Sequence, residues 1–373
     1  MAKYRFGDVV KEVKINVNRD NNPYEFYVAG DHMDSEDLII RRKGRFLTDD
    51  VGPAFTRIFH PGQVLYGSRR TYLKKVAIAD FDGICANTTF VLETKDNNIF
   101  TQELLPFIML SDRFTEWSVS HSKGSTNPYV LFSDLADFEI ELPDINSQRS
   151  LAKKLASAHN VKESYKTLLK CTDELVKSQF IEMLSNSGYE EKSLGELCDK
   201  ITDGSHNPPK GNDGSEYLMI SSKNVFIDGL DLADVRYLSK EEFDLENKRT
   251  EVKKNNILLT IVGTIGRTYL VKGNDGNIVM QRSVAVLKPS NRVNPLFMMY
   301  SLHIDENLEK EGRGNAQKGV YLKQLSQFKI KVPSLDVQNN FCTIYQQADK
   351  SKFELKKSIE AIDKVIKSLI NNI

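Results

Sequence analysis

Two long stretches of the chain carry an unbroken helical rhythm. From 147 to 184, Leu151, Leu155, Ala158, Tyr165, Leu169, Thr172, Val176 and Met183 follow alternating steps of four and three, with Lys162 and Gln179 interrupting the series at two of its positions. From 337 to 371, Leu355, Ile359, Ile362, Ile366 and Leu369 keep the same rhythm, and Ile373 continues it. This is the a/d stripe of a coiled coil. Neither stretch contains Gly or Pro, so nothing in the composition breaks either helix. At ~1.5 Å per residue each would be roughly 50–60 Å long. A helix of that length does not hold an apolar face in water by itself. The simplest cover for each stripe is the other, in an antiparallel coiled coil. The alternative is that each stripe lies on its own domain.

Elsewhere the pattern is shorter and strand-like. β-Branched and aromatic residues concentrate at 76–78, 88–92 and 138–142, and again at 257–262, 283–287 and 328–332. Gly and Asn/Asp clusters separate them as turns. Short helices are predicted at 102–112 and 295–309. The pattern changes sharply to helix after Pro143 and after Pro333.

The two halves match each other. VLFSDLADFEIELPDINSQ, from Val130 to Gln148, aligns without gaps with VYLKQLSQFKIKVPSLDVQ, from Val320 to Gln338. Val130, Leu135, Phe138, Ile140, Pro143 and Gln148 fall on Val320, Leu325, Phe328, Ile330, Pro333 and Gln338 at a constant offset of 190. Lys123-Gly124 faces Arg313-Gly314, and Phe107 faces Phe297. With a small shift, Arg70-Thr71-Tyr72-Leu73 recurs as Arg267-Thr268-Tyr269-Leu270, and Phe6-Gly7-Asp8-Val9 resembles Leu194-Gly195-Glu196-Leu197. Matches in this order point to duplication of one unit. The expected fold is α+β, with similar domains at 1–143 and 189–333, each followed by a long helix, at 144–188 and 334–373.

A chain of 373 residues has room for two or three domains. Lys+Arg and Asp+Glu are both 51, so the net charge is zero. That counts mildly against nucleic-acid binding but leaves room for locally segregated charge. Cys85, Cys171, Cys198 and Cys342 form no C-x-x-C pair, which argues against zinc or a disulfide framework and for a reducing compartment. Residues 1–18 lack the apolar core of a signal peptide. No stretch approaches the ~20 apolar residues of a membrane span. The expectation is a cytoplasmic chain with no membrane contact.

The paired segments FEIELPDINSQ and FKIKVPSLDVQ, each leading into a long helix, resemble the specificity subunit of type I restriction-modification systems. KSLGELCDKITDGSHNPPK from Lys192 to Lys210, and LTIVGTIGRTYLV followed by VMQRSVAVLK, are similar to target-recognition segments of that family. The resemblance covers essentially the whole chain. It implies that each globular unit reads one half of a split sequence in double-stranded DNA. It implies that the helices act as a ruler for the unread gap and dock two modification (methyltransferase) subunits, with or without a restriction (translocase-endonuclease) subunit. S-adenosylmethionine, and ATP with Mg if restriction subunits join, would belong to those partners, leaving this chain non-catalytic and without a cofactor. The recognition subunit of a type IIB-like or phage-exclusion methylase system is a related reading. A coiled-coil interaction scaffold that does not bind DNA is a rival of another class.

Motifs for chemistry within the chain are weak. Asn127-Pro128-Tyr129 is similar to the N-P-P-Y signature of amino-methyltransferases but lacks the second proline, and no phosphate-binding Gly-rich loop follows a strand. The six histidines are scattered with no metal-ligand spacing. Candidate DNA contacts follow the geometry of phosphate and base-edge recognition. In the first unit they are Arg41, Arg42, Arg69, Arg70, Lys123, Ser125 and Asn127. In the second they are Ser205, His206, Asn207, Arg267, Arg282, Arg313, Asn315, Gln317 and Lys318. Halves that read different bases should differ at base-reading positions. The shared Arg70 and Arg267 therefore suit structural or phosphate roles, and the two dissimilar polar loops suit base reading. Helix pairing and subunit docking are assigned to Leu151, Leu155, Leu169, Val176, Leu355, Ile359, Ile362 and Ile366.

Overall fold

The computed structural model describes residues 2–18, 21–185, 188–212, 214–312 and 318–372. The chain divides into two compact units, one of residues 1–168 with 355–373, the other of residues 169–354.

In the first unit, Ala2–Arg5 pairs antiparallel with Glu139–Leu142, so the sequence after Phe138 closes on the start of the chain. A four-stranded sheet follows the order Val10–Glu12, Thr89–Thr94, Val64–Gly67, Val76–Ile78. A second sheet is ordered Gly44–Arg45, Phe26–Val28, Gly83–Ala86, Phe55–Phe59. One core gathers Phe6, Leu92, Phe107, Phe114, Leu135 and Ile140. The second unit repeats this plan. Glu190–Ser193 pairs with Lys329–Val332. Its four-stranded sheet runs Cys198–Asp203, Val284–Pro289, Ile257–Thr260, Thr268–Leu270, the same order of counterparts. A three-stranded sheet of Arg236–Leu238, Tyr217–Ile220 and Asn277–Met280 is the counterpart of the first unit's second sheet, its middle strand again antiparallel to one neighbour and parallel to the other, and the helix Lys240–Thr250 packs against it.

The Pro-x-x-x-x-Gln motif has a physical explanation, and it is the same twice. The Gln148 side-chain amide donates to the Pro143 carbonyl at 2.9 Å and to the Ile99 carbonyl at 2.9 Å, while its Oε1 accepts from the Thr101 backbone N–H at 3.1 Å. The Gln338 amide donates to the Pro333 carbonyl at 2.8 Å and accepts from the Asn294 backbone N–H at 2.8 Å. Both side chains are sealed, at 1% and 0% exposure. Each glutamine thus ties the first turn of a long helix to its own domain and satisfies backbone groups that would otherwise be buried unpaired.

Those helices span Ile145–Leu184 and Leu335–Asn371. Both start two residues earlier than the periodicity alone suggests, because the side chain of Asp144 and the backbone after Pro333 supply the first turn's partners. They pair antiparallel. In the first unit Leu155 and Ile370 share the buried core, Leu151, Ile366 and Leu369 pack against it, and Lys162 forms an ion pair with Asp363. In the second unit Val176 and Phe180 meet Phe341 and Tyr345, with the Phe180 and Phe341 ring centroids 4.7 Å apart. Leu169, Leu355, Ile359 and Ile362 are half-buried on the same stripe. The alternative reading also holds in part: near its start the central helix buries Ala152 and Leu155 in its own domain core.

Three local expectations are corrected. The tetrapeptide Arg-Thr-Tyr-Leu is repeated in letters but not in structure. Arg70 is left-handed at φ 50° and leads into the 3-10 turn Thr71–Leu73, whereas Thr268–Leu270 is a strand whose structural counterpart is Val76–Ile78. The helix expected at 102–112 is only Leu105–Met109, because Ser111 accepts from the Phe114 N–H and starts a new helix, Asp112–Ser120. The one expected at 295–309 ends at Ile304.

Replacing Gln148 or Gln338 by Leu should each lower stability by about 1–3 kcal/mol, since buried backbone groups lose their partners while apolar volume is kept. Urea unfolding of the full chain checks this; unchanged midpoints would mean the glutamines do not hold the helix starts.

Candidate nucleic-acid interface

In the first unit a polar loop is folded onto the edge of the four-stranded sheet. Lys123 and Tyr129 exchange backbone hydrogen bonds of 2.7 and 2.9 Å, closing residues 123–129 into a tight loop in which Gly124 takes φ +87°. The Arg70 N–H donates to the Pro128 carbonyl at 2.7 Å, and the Val130 N–H to the Ser68 carbonyl at 2.9 Å. These bonds bring Arg69, Arg70, Lys123, Ser125 and Asn127 to one exposed surface. The ammonium of Lys123 is held by Asp134 at 3.0 Å. No ion pair among the described residues engages Arg69 or Arg70, so both guanidinium groups are available to an outside anion. Arg70 pays for its position with a left-handed backbone that L-residues seldom adopt.

The second unit anchors the segment from Lys318 to Val320, which follows its polar loop, at the equivalent place. The Val320 N–H donates to the Ile261 carbonyl at 2.8 Å, and the Gly263 N–H to the Lys318 carbonyl at 3.4 Å. Lys318 is exposed. Arg313, Asn315 and Gln317 lie outside the described residues. A second group of expected residues gathers at the end of the sheet. The Ser205 N–H donates to the Met280 carbonyl and the Arg282 N–H to the Ser205 carbonyl, at 2.8 and 2.9 Å. This close backbone approach requires Gly204, where a Cβ would lie 1.9 Å from the Met280 oxygen. Ser205 is buried; Asn207 and Arg282 are exposed, and Arg282 has no ion-pair partner among the described residues. His206 meets Asp203 at 2.8 Å, and Asp203 is also paired with Arg249. Arg267 is half-buried with its guanidinium 4.5 Å from the Phe226 ring centroid, a cation–π contact.

Arg41 and Arg42 stand apart from this edge set because acids elsewhere in the unit occupy them. Arg41 bridges Asp37, at 2.6 Å, and Glu163 of the central helix. Both bonds raise its already high pKa. Arg42 is paired with Asp34 and donates to the Asp31 carbonyl at 2.8 Å. Burial alone would raise the Asp37 carboxyl; Arg41 and the Ile39 N–H hold it below its ordinary value instead. Glu163 behaves alike, with Lys166 and Arg41 overcoming its burial. Asp37, His159 and Glu163 also bring potential metal-ligating atoms within 4.8 Å of one another. The guanidinium of Arg41 already lies on both carboxylates, where a cation would bind.

One feature of the second unit escaped the sequence reading. A cleft of about 630 Å³ is lined by Lys210, Asn212, Lys223, Arg236 and Gln281 among others. Gln281 bridges to Ser205, so the cleft adjoins the expected residues 205–207 and 282. Lys223 pairs with Asp234, and Arg236 donates to the Pro209 carbonyl at 2.6 Å. In the sequence these charges carry no motif; the three-stranded sheet and the loops beside it assemble them.

The family model of the type I restriction modification DNA specificity domain matches residues 4–170 and again 186–363, one match per repeat. The chain belongs to this family. The specificity subunit of the type I restriction enzyme EcoBI from Escherichia coli is 30% identical over 167 residues, 42% of this chain and 34% of the relative. The chain thus spans about a third of that curated relative in the match. Among solved structures, one concerned with complex assembly and conformational transition of the type I R-M system aligns over 99% of this chain and 96% of its own, at 20% identity and a TM-score of 0.61. The type I restriction-modification S subunit from M. genitalium aligns over 99% and 95%, at 14% identity and a TM-score of 0.60. Both likenesses are of fold over nearly the whole chain. No helix among the described residues is long and apolar enough to cross a membrane.

Acid should weaken the fold in two stages. Partial burial depresses the pKa of His159 below 6.5. Between the depressed value and 6.5 the unfolded chain binds more protons, so stability falls as pH falls through that window. Asp37 and Glu163, depressed below 3.8 and 4.5, add a further loss at still lower pH. Melting temperature should therefore drop between about pH 7.5 and about 5.5, and His159→Gln should flatten part of that drop. A melting curve insensitive to pH over this range would contradict the burial of the His159 imidazole.

Proposed function

We propose that this chain is the DNA-reading subunit of a type I methylation system, with each unit reading one half of a split duplex target. The observation that carries this is the paired polar loop. Both units pin the segment that follows this loop to the same strand end, at Val130 and Val320, yet the loop sequences differ between copies. A constant scaffold with a variable exposed edge suits two readers of different sequences. In the first unit, Arg69 and Arg70 contact phosphate, while Ser125 and Asn127 meet base edges. In the second, Arg282 and Lys318 take the phosphate role. Asn207, Arg313, Asn315 and Gln317 offer base-edge contacts, and the polar cleft beside Ser205 and His206 extends the surface. Lys123 and Arg267 support these edges through an acid and an aromatic partner, while Arg41 and Arg42 stay with their own acids.

The helix pair fixes the unread gap and carries two modification subunits, and restriction subunits where the host supplies them. The chain itself performs no chemistry. Methyl transfer with S-adenosylmethionine, and any ATP- and Mg-dependent cleavage, belong to the partners, in the cytoplasm.

Duplex binding by the chain with its modification subunits should weaken steeply with salt. Arg69→Ala with Arg70→Ala should reduce the slope of log K against log salt by about 1.8, two phosphates' worth. Asn127→Ala should instead relax preference at one base pair, about 1–3 kcal/mol, with little change in slope. Binding that is indifferent to salt and to duplex sequence would return the chain to the class of protein scaffolds.

A further inference from the structure

We propose that Lys162 and Lys352, with Asp363 and Asp173, are an orientation and register key for the paired helices. Each lysine occupies a position of the apolar stripe. Lys162 falls in the series Leu155, Ala158, Lys162, Tyr165, and Lys352 in the series Tyr345, Ala348, Lys352, Leu355. Both are largely buried, their side chains 15% and 12% exposed. In the first unit Lys162 pairs with Asp363 of the facing helix. In the second Lys352 pairs with Asp173 at 2.8 Å and reaches Asp228 of the recognition domain at 3.7 Å.

The two pairs are one interaction made twice. Lys162 and Lys352 are separated by 190 residues, as are Asp173 and Asp363, the same offset that relates Val130 to Val320. The helices exchange roles between the pairs, as a self-complementary contact requires.

Alternative arrangements lose both pairs together. Slipping the antiparallel helices by one heptad in one direction sets Lys162 against Lys356 and Lys352 against Lys166. The opposite slip sets them against Ile370 and Phe180, burying each ammonium on apolar surface. Parallel pairing of equivalent positions sets Lys162 against Lys352 and Asp173 against Asp363. An apolar stripe of Leu and Ile tolerates all of these; four charges select one. Polar groups at such positions characteristically trade stability for a unique partner arrangement. This inference concerns the helices themselves and stands apart from the reading of DNA.

The test uses the full chain with exposed Cys171 replaced by serine and spin labels at Lys154 and Lys357, both exposed and both in the first unit. The parent should give one narrow distance. Lys162→Leu with Lys352→Leu should hold or raise the melting temperature yet add a second population displaced by about 10 Å, one heptad of rise. Asp363→Lys alone should disturb the distance, and Lys162→Asp with Asp363→Lys should restore the single narrow peak. If the double leucine variant keeps one undisturbed distance, the register is set elsewhere and the proposal fails. If it melts lower with the distance unchanged, the pairs are ordinary stabilising contacts, which overturns the proposal equally.

Discussion

A helix of 40 residues extends about 60 Å and shows one apolar stripe along its length. Water cannot cover that stripe, and no single domain of this size reaches along all of it. The sequence meets the constraint by making a second such helix and by dividing each stripe between two covers. Near their starts the helices complete the core of the domain they follow, through Leu155 in one case and Phe341 in the other. Farther along they cover each other. Gln148 and Gln338 tie each start to the domain behind it, so the direction of a helix and the placement of its domain are one decision.

Duplication makes this arrangement economical. The strand pairs Ala2–Arg5 with Glu139–Leu142 and Glu190–Ser193 with Lys329–Val332 close each unit in the same way. The four-stranded sheets share one order. What varies is the sequence of the loops after Lys123 and before Lys318, and the helix Lys240–Thr250, which stands where the first unit has the strand Phe55–Phe59. Stability is concentrated in the repeated parts, which leaves the variable edges free to change without loss of the fold.

The parts legible in the sequence were those with a local cause. The stripes follow from a period of three and four, and the Pro-Gln motif from two buried hydrogen-bonding groups at fixed spacing. Other parts depended on partners far along the chain. Arg41 looked free until Glu163, 122 residues away, was placed on it. The repeated Arg-Thr-Tyr-Leu misled because identical residues took a left-handed turn in one copy and a strand in the other. The cleft around Arg236 and Gln281 is lined from strands and loops far apart along the chain, so its charges have no signature in spacing. Asp37 and His159 lie on separate elements, so their meeting had no signature in spacing.

The central claim is that two copies of one scaffold read two different halves of a target. It is tested most directly by the base-methylation map of a host whose chain carries residues 1–142 from another member of the family. One half of the methylated motif should change, while the other half and the gap stay as they were. A map in which both halves change together, or in which neither does, would contradict the assignment of one reader to each unit.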